Sequence, residues 1–88
     1  MTNPSVDTVE IALDKAETRY VISDVQSLAE ALLARWPERL RGRAHLRARK
    51  KCHAALEGKC KPIEARTAFI AACREAGISV FPDDAQRP

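Results

Sequence analysis

Apolar residues at positions 25, 28, 29, 32, 33 and 36 recur at i, i+3, i+4, i+7, i+8 and i+11, and a proline follows at 37. A strand scatters such a set over both faces, whereas an α-helix gathers it into one stripe. Val25, Leu28, Ala29, Leu32, Leu33 and Trp36 are therefore expected to form the buried face of a first helix. Pro37 ends it, because a proline pushes the residue before it out of the helical region. Ser23 or Asp24 is the expected N-cap, and Gln26, three residues after Ser23, fits a capping box.

Upstream the period changes to two. Val9, Ile11 and Leu13 alternate with Thr8, Glu10 and Ala12, the pattern of a half-buried strand. After the polar stretch Asp14 to Thr18, Arg19 to Ile22 reads as a second strand. A connection of about five residues suits an antiparallel hairpin, and no glycine marks its turn type.

Downstream, a second helix is expected from about Leu40 to Glu57, with Gly58 as its stop. Ala44, His45, Ala48, Cys52, Ala55 and Leu56 share one arc, while Arg43, Arg47, Lys50 and Lys51 take the opposite side. Leu46 and Gly42 fit less well, and Gly42 weakens the first turn by about 1 kcal/mol relative to alanine. Pro62 and Glu64 suit the first turn of a third helix, whose core stripe is Ala65, Phe69, Ala72, Cys73 and Ala76. Ile63 and Ile70 lie on a second side of it. Gly77 is the expected left-handed cap, with Ile78 folding back onto Cys73. Ser79 to Phe81 is the candidate for a short third strand.

The order β-β-α-α-α-β implies an α+β fold: an antiparallel N-terminal hairpin followed by three helices packed on one sheet face. The domain is expected over residues 6–81, with 1–5 and 82–88 as flexible termini. In a chain of 88 residues with four aromatic side chains, Tyr20, Trp36, Phe69 and Phe81, an alanine-rich core buries little area. At about 25 cal/mol per Å² of apolar surface, net stability is thin, and dimerisation is a natural remedy. The polar, acidic first ten residues lack the apolar run of a signal peptide, and no stretch approaches a membrane span. The expected location is the cytoplasm, where Cys52, Cys60 and Cys73 stay reduced.

Two stretches carry a resemblance. Val25-Gln-Ser-Leu-Ala-Glu-Ala-Leu-Leu-Ala-Arg-Trp-Pro37 and Ala65-Arg-Thr-Ala-Phe-Ile-Ala-Ala-Cys-Arg-Glu-Ala-Gly-Ile78, with Ala54-Ala-Leu-Glu-Gly58 between them, resemble the short bacterial proteins grouped as domain of unknown function 982. That family is common in rhizobia and their relatives. The resemblance covers roughly residues 9–80. It implies a small cytoplasmic bacterial domain and no catalytic set. Pro62 and Cys73 depart from the family pattern, which favours a capping polar residue and an alanine there.

Candidate chemistry is sparse. His45, Cys52, His53 and Cys60 are zinc-type ligands within sixteen residues, but no close Cys pair accompanies them. His53 lies about 100° round the helix from Cys52, so the candidates do not converge. Adjacent helical residues do not face each other, so Cys52 and His53 are not a nucleophile–base pair. Cys60, between Lys59 and Lys61, is the thiol expected to be exposed, and Cys73 belongs to the core. There is no G-x-S-x-G elbow, phosphate loop or carboxylate pair. No enzyme, cofactor or small-molecule substrate is expected.

What stands out is charge. Ten of the fifteen Lys and Arg residues fall between Arg35 and Lys61, giving that stretch +8 against −4 for 1–34 and −1 for 62–88. Clustered cations favour an anionic surface. Arg39, Arg41, Arg43, Arg47, Lys50, Lys51 and Lys59 are the candidate anion- and partner-binding residues. The leading expectation is an interaction or accessory module meeting a protein partner or a second copy of itself. Trp36, beside Pro37, is either an interface anchor or a core residue. The alternative is sequence-independent nucleic-acid binding through the same helix face, which lacks base-reading side chains.

Overall fold

The computed structural model describes residues 3–12 and 19–81. Strand β1 (Ser5–Ala12) pairs antiparallel with β2 (Arg19–Asp24) on one side and with β3 (Ser79–Phe81) on the other. The sheet order is β2-β1-β3. The hairpin thus forms as the alternation predicts, and the candidate third strand forms over Ser79–Phe81. Leu13, the connection 14–18 and the tail from 82 onward, all assigned above, lie outside the described residues.

Register explains the alternation. Val9 stands opposite Ile22, and Ile11 lies between Tyr20 and Val80. Val9, Ile11, Ile22 and Val80 are buried and make the inner face. Glu10, opposite Val21 and Phe81, points the other way, as period two requires. The strand starts earlier than the alternation, with a register shift between Ser5 and Val9. Asn3, Pro4 and Ser5, expected in a loose terminus, have definite partners: Val25 N–H donates to the Pro4 carbonyl (3.0 Å), Gln26 N–H to Asn3 Oδ1 (2.9 Å), and Ser5 pairs with Asp24.

Helix α1 (Val25–Glu30) follows β2 directly. Its N-cap is Asp24, whose Oδ1 accepts from Ser27 N–H at 2.8 Å; the Ser23–Gln26 capping box does not form. Ser23 is still within the strand, so its side chain is one residue too early for the orphan amides. That bond to Ser27 also holds the Asp24 carboxyl below its ordinary value.

The helix then widens into a π-type turn over Ala31–Arg35, and Trp36 is extended, as a residue before proline must be. The widened turn aligns Leu32 with Trp36 over the core and rotates Leu33 outward. Leu33 is accordingly 54% exposed, not part of the buried stripe. Trp36 is a core residue: it is buried, with its ring 5.5 Å from His45 and 5.7 Å edge-on from Phe69. Its Nε1 has no acceptor among the described residues, so the indole ring is held by packing.

A single 3₁₀ turn (Glu38–Leu40) leads to helix α2 (Arg43–Leu56), and Pro62–Ala76 forms helix α3. The second helix starts later than its sequence suggests because Gly42 is its N-cap. Glycines end both helices in the left-handed region, Gly58 at φ 76° and Gly77 at φ 72°. Behind Gly77, Ile78 N–H reaches the Cys73 carbonyl at 2.8 Å and Ile78 is buried, as the cap motif predicts. On α3, Ile70 is buried but Ile63 is exposed, so the second side is covered only in part.

Helices α1 and α3 lie against the sheet, and α2 packs on α1 and α3. The core therefore has two storeys. Val9, Ile11, Leu28, Phe69 and Val80 belong to the sheet side, and Ala48, Cys52 and Ala55 extend it up to α2. Placement in the outer layer leaves α2 with a wide solvent face. Among the described residues no helix is long and apolar enough to cross a membrane.

Candidate anion-binding and interaction surface

The chain between Leu32 and His45 decides which polar groups remain for function. Pro37 has no N–H, so it cannot serve the Leu33 carbonyl four residues back or the Leu32 carbonyl five back. Two downstream side chains take those acceptors. His45 Nε2 lies 2.8 Å from the Leu32 oxygen, and Arg41 Nη2 donates to the oxygens of Leu33 (3.0 Å) and Trp36 (3.2 Å). Because a carbonyl only accepts, the buried imidazole carries its proton on Nε2. Burial is the main cause holding its pKa below 6.5, helped by Arg41 and Arg49; the Leu32 carbonyl and Glu75 oppose that shift.

Glu75, which the sequence reading passed over, supplies the missing cap of α2. Its Oε1 accepts from Ala44 N–H (3.2 Å) and its Oε2 from His45 N–H (3.3 Å). The carboxylate fits because residue 42 is glycine: a Cβ there would lie 2.6 Å from Glu75 Oε1. The one available signal was negative, a helix start preceded by glycine where Ser, Thr, Asn or Asp usually stands.

The seven cations expected to bind an anion divide into two sets. Arg41 is occupied by carbonyls, Lys51 pairs with Glu64 at 3.2 Å, and Lys59 pairs with Glu57 at 3.3 Å. Arg39, Arg43, Arg47 and Lys50 are exposed and make no ion pair among the described residues. Arg49, absent from that set, is also exposed and unpaired there. Arg43, Arg47 and Lys50 follow the outermost line of α2, spanning about 10 Å at 1.5 Å per residue.

Two clefts flank this ridge. Toward α1 lies a groove of about 460 Å³ lined by Ala29, Leu33, Leu46, Leu56, Arg49, Lys50 and His53. Toward α3 a smaller one, about 340 Å³, is lined by Arg47, Lys51, Ile63, Glu64 and neighbours. Leu46, which did not fit the core arc, is 47% exposed on the first groove.

The thiols are quiet by comparison. Burial pushes Cys52 and Cys73 up to about 12, so both are protonated at neutral pH. Cys60 is half-buried, with its Sγ 3.5 Å from the Lys51 carbonyl. His53 faces away from Cys52 and sits 3.3 Å from Glu57 Oε1. Among the described residues no three His, Cys, Asp or Glu side chains are grouped to hold a metal ion.

A family described as protein of unknown function (DUF982) matches residues 7–80. The chain belongs to this DUF982 family. The match runs from β1 to β3 and so takes in both halves of the helix motif, the Trp-Pro turn and the Gly77 cap. No curated protein and no solved structure matches this DUF982 chain.

Proposed function

We propose that this DUF982 protein is a non-enzymatic association module whose outer helix α2 meets an anionic protein partner. One observation carries the reading: in a segment that spends Arg41, Lys51 and Lys59 on internal partners, Arg43, Arg47, Arg49 and Lys50 have no ion pair among the described residues. Cations held close together without counter-charge repel, and an incoming anion relieves that repulsion. The non-enzymatic part rests on His45, Cys52 and Cys73, whose polar groups are buried or already bonded. Three free thiols fit work in a reducing cytoplasm.

A protein partner is favoured over nucleic acid for two reasons. The ridge of about 10 Å reaches few successive phosphates, and affinity from backbone contacts alone grows with the number of phosphates neutralised. Stacking is also unsupported: Trp36 and Phe69 are buried, while Tyr20 and Phe81 are covered by Arg35 and Arg19 at 4.8 and 4.1 Å.

The test is affinity capture from nuclease-treated extract with wild type and with Arg43→Glu/Arg47→Glu/Lys50→Glu. Wild type should retain an acidic protein that the reversed variant loses. Equal recovery by both would end the proposal.

A further inference from the structure

We propose that the groove between α1 and α2 is a docking site for an amphipathic helical segment that is apolar on one face and carboxylate-bearing on its flank. This rests on the reading of α2 as the partner-binding helix and names the partner's chemistry. Ala29 and Leu33 form one wall, Leu46 and Leu56 the other, and the space between is about 460 Å³. Leu33 and Leu46 are 54% and 47% exposed, large apolar side chains left in water on facing walls. A single exposed leucine is ordinary, but two lining one groove with Ala29 and Leu56 make a contiguous apolar patch of the kind that marks an interaction site.

Charge specifies the occupant further. Arg49 and Lys50 border the groove and have no ion pair among the described residues, and His53 lies at the same rim. An occupant with carboxylates on that flank gains charge-assisted contacts, whereas a purely apolar or a basic one leaves the cations desolvated or opposed. The α2–α3 cleft offers an acidic occupant less: of its two cations only Arg47 is without an ion pair among the described residues, Lys51 is paired with Glu64, and the Glu64 carboxylate itself lines the cleft.

Shape separates a helix from a second copy. The groove follows α2 from Leu46 to Leu56, about 15 Å or nearly three turns. A helix offering apolar residues at i, i+4 and i+7 inserts convex side chains along that length. Two identical concave grooves set face to face would leave the space unfilled.

The probe is a synthetic peptide of about four helical turns with a leucine stripe flanked by glutamates. Two controls accompany it: the same composition scrambled to disperse the stripe, and the same stripe flanked by lysines. Binding is read by anisotropy and by amide shifts in ¹⁵N spectra of the whole chain. The striped acidic peptide should shift Leu33, Leu46, Arg49 and Leu56 and bind at least about tenfold tighter than either control. Leu46→Asp should weaken it at least about tenfold while the circular dichroism melt is retained. Leu33→Asp, on the opposite wall, repeats the test should Leu46→Asp unfold.

Equal binding of the scrambled acidic peptide would overturn the groove and leave the ridge reading intact. No binding by either acidic peptide would overturn both. A wild-type dimer that Leu46→Asp disperses would assign the groove to a second copy and overturn the proposal.

Discussion

Replacing His45 by leucine tests the account of the Trp-Pro turn. Leucine fills a similar volume but cannot donate to the Leu32 carbonyl, now 2.8 Å from Nε2. An acceptor buried without a partner costs about 1–3 kcal/mol, and the lost ring contact with Trp36 adds about 0.5–1 kcal/mol. His45→Leu should therefore destabilise the domain by about 2–3 kcal/mol, a large share of the stability of a chain this size. That corresponds to a drop of roughly 10–20 °C in Tm. His45→Gln, which keeps an amide donor, should lose about half as much. The protein's single tryptophan, Trp36, is buried beside this histidine, so its fluorescence reports urea unfolding directly.

The pH dependence supplies a second readout. Burial keeps the folded-state pKa of His45 below its ordinary 6.5, so the unfolded chain takes up the proton first as pH falls. The stability contribution is complete above about pH 6.5 and is lost as pH drops from there through the folded value. His45→Leu has nothing to titrate at this position. The gap between wild type and variant should thus narrow from pH 7.5 to pH 5. A variant within about 0.5 kcal/mol of wild type, or a gap independent of pH, would refute the reasoning.

Three further outcomes are expected. Gly42→Ala and Glu75→Ala should each cost about 1 kcal/mol by removing the cap of α2, and the double variant should cost scarcely more than either, as a double-mutant cycle by urea denaturation checks. Gly77→Ala, forced into the left-handed region at φ 72°, should lower stability by about 1 kcal/mol, with the change confined to the midpoint of the denaturant curve. Above pH 9 stability should fall progressively toward pH 12, because Cys52 and Cys73 are raised to about 12 when folded and ionise more readily when unfolded. Removing both thiols, as Cys52→Ala/Cys73→Ala, should flatten the alkaline limb of the stability–pH profile.

Much of the fold was legible because the local signals agreed. Val9, Ile11 and Ile22 gave the sheet, and Gly58 and Gly77 fixed two helix ends by backbone conformation alone. The first helix shows where periodicity stops. A regular 3.6-residue repeat places Leu33 with the core, but the π-type turn before Pro37 turns it out. Nothing in spacing separates that turn from an ordinary α-helix; it is set by carbonyls that Pro37 cannot serve and by tertiary donors many residues away. The candidate site was legible only as charge. Sequence put Arg41 with Arg43, yet one caps a helix and the other faces solvent. Glu75 capping α2 from the end of α3 is likewise a long-range contact, invisible to any local pattern.

If the α2 ridge is what meets the partner, the line of unpaired cations decides affinity and the net charge does not. Two triple variants separate these, each removing three positive charges. Arg43→Ala/Arg47→Ala/Lys50→Ala empties the ridge, whereas Arg19→Ala/Lys51→Ala/Lys59→Ala removes cations that already face Glu10, Glu64 and Glu57. The measurement is the affinity of each for the acidic protein that wild type retains, at one fixed ionic strength. Binding should be lost in the ridge variant and stay near wild type in the other. Equal weakening in both would mean that net charge, and not the ridge, sets the affinity.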